Sequence, residues 1–389
     1  MTRLFLLEPS DPGPAWVPFA GVRPLSELRA GAWLIRERWE AALGCRTEAI
    51  LDERLTEFAD VGAPPVRSAE GLTGPAIVVS SACVPPRAAL SFPDGATRLT
   101  VSGVAVAWTL AAGQVWHGPE VEGPALDIPG ALLGGAYDLV TVLETLLGPD
   151  CLEFTAAPAD PVPTGSIVLG DPALVVCLDA VVEPGVVFDT RKGAVVLTEG
   201  VEVRSGTRLE GPLYAGPGTI LLGGQIRHSA FGPQCRVHGE VSTSVMTGYA
   251  NKAHDGFLGH SILGHWVNLG AGTITSNLKN TYGPVRLDLP EGRVETGRTF
   301  LGTLFADHAK TAIGTMLGTG TVIGAGANVF GAGEVPRHVR PFAWGIAGGG
   351  RLEEEGFLRI AGRVMPRRHV EMSAERERSL HALYRRLAR

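Results

Sequence analysis

From Leu197 onward, apolar residues recur at every sixth position. LTEGVE, VRSGTR, LEGPLY and AGPGTI follow without a gap, opened by Leu197, Val203, Leu209 and Ala215. The frame returns as LGHWVN and LGAGTI (Leu263 to Ile274), then as LGTGTV and IGAGAN (Leu317 to Asn328). A helix would place apolar residues three and four apart, and a hairpin sheet would alternate with period two and no phased glycine. Period six with small residues between predicts short strands joined by tight turns. Each strand sends an aliphatic side chain inward, and the turns take residues that tolerate positive φ. This is the pattern of a parallel β-helix. LKNTYGPVRLDLPEGRVETGRT (Leu278 to Thr299) breaks the frame and predicts an extruded loop or hairpin, a place where solenoids carry binding loops.

The chain before Ser166 has another texture. RLFLLE (Arg3 to Glu8) and AIVVSS (Ala76 to Ser81) read as buried strands. Between them Leu28, Ala32, Ile35, Trp39 and Leu43 share one helical face, with Ser26 as N-cap. Strand, helix, strand predicts an α/β unit over 1–155. AAPADPVPTG (Ala156 to Gly165) is a proline-rich linker, the β-helix follows over 166–350, and 351–389 is a helical tail. That tail holds ten arginines against six glutamates, with Leu380, Leu383, Tyr384 and Leu387 at helical spacing. It reads as a helix docked on the solenoid end with a solvated basic face; a phosphate-bearing ligand is the other use of such a face.

Composition narrows the function. The 389 residues include 52 glycines and 28 prolines, yet 45% are hydrophobic, which suits many turns around a continuous core rather than disorder. A net charge of −6 offers no concentrated basic face for nucleic acid. The longest apolar runs fall far short of the ~20 residues that span a bilayer, and Leu4 to Leu7 is too short for a secretory signal. Five cysteines, odd in number and never in C-x-x-C spacing, argue against a disulfide framework and for a reducing, cytoplasmic setting.

The densest polar cluster is GYANKAHDGFLGHSILGHWVNLGAGTITSNLKN, Gly248 to Asn280. It resembles the acetyltransferase domain of the bifunctional N-acetylglucosamine-1-phosphate uridyltransferase/glucosamine-1-phosphate acetyltransferase family, through KAHDGFLG and VNLGAGTITSN. The hexads likewise resemble the left-handed β-helix of the hexapeptide-repeat acyltransferases. At about 18 residues per three-sided coil, Ser166 to Gly345 would supply roughly eight to nine coils. The resemblance implies His254 as general base, with Lys252, Asn268 and Phe257 against the substrate and Asn277 positioning. Phe257 and Leu278 replace tyrosines of that family, and Ser242 stands near its substrate-phosphate lysine. Ala271, Thr303 and Ala325 fall at or near coenzyme A positions, and Lys279, Lys310 and Arg337 are candidate cations for its phosphates. The residue types suit the chemistry: an amine attacking a thioester needs a base near working pH, and imidazole fits. The developing oxyanion needs an N–H donor, from a Gly-rich turn or Asn277. The resemblance also implies acetyl-CoA as co-substrate, no metal, and a homotrimer with sites between neighbours.

Two other readings compete. His260-x4-His265 resembles two of the three zinc ligands of the γ-class carbonic anhydrases, with His228 or His238 available as a third. The first 150 residues resemble sugar-nucleotidyltransferase domains, and RPLSELRAG with LIRERWE links the chain to two-domain bacterial proteins labelled as such. There the phosphate loop reads EPSDPGPAWVP, whose four prolines lack N–H donors. Cys83 stands at the family's metal-binding Asp, where a neutral thiol serves magnesium poorly. Arg23, Arg29 and Arg36 remain candidates for a nucleotide phosphate, surface salt bridges being the other use. The expected function is acyl transfer from coenzyme A to a sugar phosphate or sugar nucleotide. The alternatives are a non-catalytic sugar-nucleotide-binding or scaffold protein, then a sugar-1-phosphate nucleotidyltransferase.

Overall fold

The computed structural model describes residues 2–92, 97–120, 122–346 and 349–388. Met1 and Arg389, at the ends of the first and last expected segments, and residues 347 and 348 of the third lie outside them.

A seven-stranded sheet opens the chain. Arg3–Leu7 sits inside it between parallel partners Thr47–Leu51 and Ala76–Ser80, and Val104–Leu110 continues it antiparallel. Alternation assigns the two sides. Leu4 and Leu6 enter a large core with helices α1 (Ile35–Leu43) and α2 (Asp138–Phe154), while Phe5 enters a smaller cluster with Val78 and Trp108.

Helix α1 is shorter than its apolar spacing predicts. Leu28 and Ala32 are buried as expected but precede it, because Arg29–Ala30 and Trp33–Leu34 pair as a small hairpin around Gly31, at φ +70°. Glu37 caps α1 by accepting from Leu34 N at 2.8 Å. Ser26 is no N-cap; its hydroxyl donates to Glu8 at 3.0 Å.

The second half winds into a left-handed parallel β-helix with three faces. Face one is a nine-stranded parallel sheet from Val175–Cys177 to His338–Val339. Face two carries Glu202–Val203, Asn251–Lys252, Asn268–Leu269, Lys310–Thr311 and Asn328–Val329. Face three carries Arg208–Glu210, Phe257–Gly259, Ile274–Thr275 and Met316–Leu317. Ile220–Arg227 and Arg236–Ser242 run round the edge between faces two and three. Gly223 and Gly224, at φ +140° and +88°, permit the first of those bends. The hexad frame is reproduced: Leu197, Val203, Leu209, Ala215, Leu263, Leu269, Leu317 and Ile323 are all buried. The frame-breaking segment is an antiparallel hairpin of Arg286–Leu289 and Gly292–Glu295.

Two covers close parts of this prism. On face one the strands alternate between the interior and the large core of the first sheet, so Val176, Val196, Tyr214, Val245, Ile262 and Leu304 bind the two halves together. The hairpin joins the same core through Leu287, and Arg298 reaches Asp138 of α2 at 2.6 Å. The tail, α3 (Glu354–Val364) and α4 (Ala374–Leu387), lies along the edge between faces one and two rather than on the solenoid end. That edge is a column of residues at positive φ: Tyr249, Trp266, His308 and Phe342. Each such backbone costs on the order of 1–3 kcal/mol, and stacking offsets it: Tyr249 on Trp266 at 4.4 Å, and Phe357 of α3 against Phe342 at 5.0 Å.

Leu209→Ala is expected to cost about 2–5 kcal/mol as a cavity inside the prism. Val181→Ala, at a side chain 64% exposed, should stay within about 0.5 kcal/mol. Equal shifts in urea midpoint for the two variants would contradict this inward–outward assignment.

Candidate functional site

With face one and two edges covered, the edge between faces two and three is open among the described residues. Its turns stack as His238, His254, Ala271 and Ile313. Gly272 N donates to Asp255 O at 3.1 Å and Gly314 N to Ala271 O at 2.7 Å, which fixes the turns rung on rung. The His254 side chain is exposed. Its turn is braced from inside. Lys252 points into the prism, only 1% exposed, and its ammonium donates to the carbonyls of His254 and of His238, the latter at 3.1 Å. Burial holds this lysine down to about 8. Lys252 therefore does not present its amine to a substrate on the surface; it supports the turn that carries His254.

Past that turn the chain enters face three. A Cβ at Gly259 would collide with both the Phe257 ring and the Asn277 amide, so the missing side chain is what lets those two groups meet. Asn277 Nδ2 lies 2.8 Å from His260 Nδ1, and His260 stacks on Phe300 at 5.2 Å. Burial, with His228 and Arg227 nearby, pushes His260 down to about 4, so its ring is neutral beside Glu144 of α2, 3.8 Å away. His254, Phe257 and Asn277 thus follow one strip from the open edge across face three. Ile274, Met316 and Ile313 expose apolar surface around it, Ile313 at 80% and Met316 at 73%.

Other candidates lie apart. Asn268 points outward from face two, accepting from Asn251 at 3.0 Å and in register with Lys310. Lys310 donates to the carbonyl of His308 at 3.0 Å, and burial lowers it to about 8. Lys279, at the hairpin base, donates to the carbonyl of Pro284 at 2.8 Å. Arg337 is spent on Thr319. Thr303 is buried beneath the first sheet's core and Ala325 beneath the tail helices, so neither side chain reaches solvent. The register of the hexads could have revealed this, since it assigns each side chain to inside or outside; local motif matching does not.

The two zinc candidates are not brought together. His260 sits on the edge between faces three and one, His265 on the edge between faces one and two, with Nδ1 2.7 Å from Asp60. Among the described residues no group of three or more His, Cys, Asp or Glu is placed to hold a metal ion.

The arginines proposed for a nucleotide phosphate are engaged elsewhere. Arg23 is buried and pairs with Asp60 at 2.7 Å and Asp307 at 3.0 Å, joining the first half of the chain to the solenoid. Arg36 pairs with Glu27 at 2.6 Å. Arg29 is buried over the Tyr214 ring at 5.6 Å. Cys83 is buried and its thiol is pushed up to about 12. Where the phosphate loop is expected, the buried Glu8 carboxylate accepts from Leu25 N at 2.7 Å, Ser26 N at 3.2 Å and the Ser26 hydroxyl. The chain's own carboxyl group fills that set of donors.

No family model matches the chain. Parts of it are similar to proteins named as bifunctional. A protein of Sulfurisphaera tokodaii named bifunctional sugar-1-phosphate nucleotidylyltransferase/acetyltransferase is 32% identical over 160 residues, 38% of each chain. Proteins named bifunctional protein GlmU are 34% identical over 86 residues in Methanocaldococcus jannaschii and 30% over 122 residues in Methanococcus vannielii. These matches cover 22% and 30% of this chain, and 21% and 27% of the relatives. The chain therefore aligns with well under half the length of each. Among the described residues no helix is long and apolar enough to cross a membrane.

Glu8 provides a pH test. Burial raises its carboxyl from 4.5 to about 7 against the donors that lower it. Between those values the folded chain keeps a proton that the unfolded chain releases, so the contribution is full below pH 4.5 and lost above pH 7. The shift corresponds to about 3 kcal/mol. Glu8→Gln cannot ionise, so its unfolding free energy relative to wild type should improve from pH 4.5 to 8. A pH-independent difference would refute the assignment.

Proposed function

We propose that this chain transfers an acetyl group from acetyl-CoA to an amino or hydroxyl group of a sugar phosphate or sugar nucleotide, with His254 as general base. The observation that carries the reading is the open edge: an exposed imidazole on a braced turn, followed along face three by Phe257 and Asn277. The name of the Sulfurisphaera tokodaii relative, which includes acetyltransferase, supports the same chemistry.

In this reading the acceptor's lone pair forms a bond to the thioester carbonyl carbon. His254 takes the acceptor's proton, the carbon–sulfur bond breaks, and coenzyme A leaves as the thiol once that proton is returned. Within one chain Asn277 lies across face three from His254, so in a homotrimer the amide N–H offered to the oxygen that gains charge comes from a neighbouring copy's Asn277. Its partner His260 is neutral and aromatic-stacked, so it orients the amide without competing as a base. Phe257 supplies an apolar wall where a tyrosine would offer a hydroxyl.

The segments divide the work: 1–155 as a degenerate nucleotidyltransferase-like domain, 156–165 as linker, 166–350 as the catalytic solenoid and 351–389 as its edge cover. We assign no nucleotidyl transfer to the first, whose anion donors Glu8 occupies. The exposed Ile274, Met316 and Ile313 beside His254 support a homotrimer in which neighbouring copies cover face three. Five unpaired cysteines support a cytoplasmic protein.

His254→Gln should lower kcat for thiol release from acetyl-CoA by about 10²–10⁴-fold. Its melting temperature should match wild type, because the side chain is exposed. Turnover within twofold of wild type would remove His254 from the mechanism.

A further inference from the structure

From Arg236 to Asn328, face two carries cations that pair with no acid among the described residues. Its outward residues follow rung by rung: Arg236 beside Asn251, then Asn268, Lys310 and Asn328, at ~4.8 Å per rung. The tail adds another. Arg368, at the end of the 3₁₀ turn Met365–Arg368, donates to Asn251 Oδ1 at 3.4 Å, on the rung next to Arg236. Every acceptor these groups have is neutral. Arg236 bonds the carbonyls of Gly218 and Cys235, both at 3.0 Å, and the Gln234 amide at 3.4 Å. Arg368 bonds Asn251 and the carbonyl of Arg367, and its buried Nε has no partner. Glu202 lies two rungs back across Ile220 and is bonded to Arg204 at 2.7 Å.

The contrast with the rest of the molecule is informative. Among the buried guanidiniums, Arg23, Arg36 and Arg38 each meet a carboxylate, while Arg29 bonds the carbonyl of Ala32 and lies over the Tyr214 ring. Burial holds Arg236 and Arg368 below the usual guanidinium value, and Arg236 and Arg367 repel Arg368 further. Half-buried like charges with no acid between them are costly unless an anion completes them. A phosphate group has the charge and the several acceptor oxygens that two guanidinium forks and an amide can satisfy.

We propose that Arg236, Arg368 and Asn251 form a binding site for a phosphate group of the ligand that reacts at His254. Asn251 is three residues from His254, at most about 10 Å of extended chain, so a phosphate held here lies about a sugar's length from the base. The identity of the ligand rests on the acyl-transfer reading; the phosphate belongs either to the acceptor or to coenzyme A.

Calorimetry on the full chain tests the site, with inorganic pyrophosphate, a hexosamine 1-phosphate and acetyl-CoA as separate probes. Arg236→Gln and Arg368→Gln should each weaken pyrophosphate at least about tenfold. Arg368→Lys should retain part of the affinity, keeping the charge but not the fork, and Arg204→Gln, on an exposed ion pair, should change nothing. Parallel loss for the hexosamine phosphate alone assigns the site to the acceptor, and for acetyl-CoA alone to the donor; either supports it. Pyrophosphate binding that both glutamine variants leave intact, or that wild type lacks, overturns it. Should pyrophosphate obey the pattern while no acyl transfer is found, the site stands and the functional reading falls.

Discussion

One buried side chain every six residues is the constraint on which this molecule depends. It fixes the register of every rung, and register decides which groups face the interior, which face a cover and which face solvent. Once Leu269 is inside, Asn268 must be outside, and with Lys252 and Leu258 inside His254 falls on the turn between them. The chemistry is positioned by packing, and the polar residues take the places the aliphatic frame leaves free.

The covers complete that logic. The first sheet occupies face one, α2 and the hairpin flank the edge beyond it, and the tail closes the opposite edge over Tyr249, Trp266 and Phe342. Buried charges secure these contacts: Arg23 ties Asp60 to Asp307, and Asp60 is held well below the usual carboxylate range by His265 and Arg23 despite its burial. Removing one partner of such a cluster leaves an uncompensated charge, so these arginines work as structural ties. What remains open is one edge with its two flanking faces.

Much of this was legible beforehand. The hexads gave the solenoid, the frame break at Leu278 to Thr299 marked the hairpin, and Leu380, Leu383 and Tyr384 marked the buried side of α4. Less legible were features set by distant contacts. Apolar spacing extended α1 back through Leu28 because a buried loop and a buried helix face look alike in sequence; the turn at Gly31 separates them. A lysine beside the candidate base reads as a substrate ligand until register turns Lys252 inward. Arg23 reads as a phosphate ligand until Asp307, far along the chain, is seen to claim it. His260 and His265 look like a metal pair at five-residue spacing, but one strand of face one carries them to different edges. The cations of face two were accessible in principle, since Arg236 and Lys310 each immediately precede an inward residue, Val237 and Thr311.

The central claim is that chemistry takes place on the edge the covers leave open. Hydrogen–deuterium exchange with and without acetyl-CoA addresses it most directly. The account predicts slowed exchange at residues 251–277 and 310–316, with the first sheet, Arg3–Leu7 and Thr47–Leu51, unchanged. Protection confined to that sheet, or absent from the open edge at saturating ligand, would contradict it.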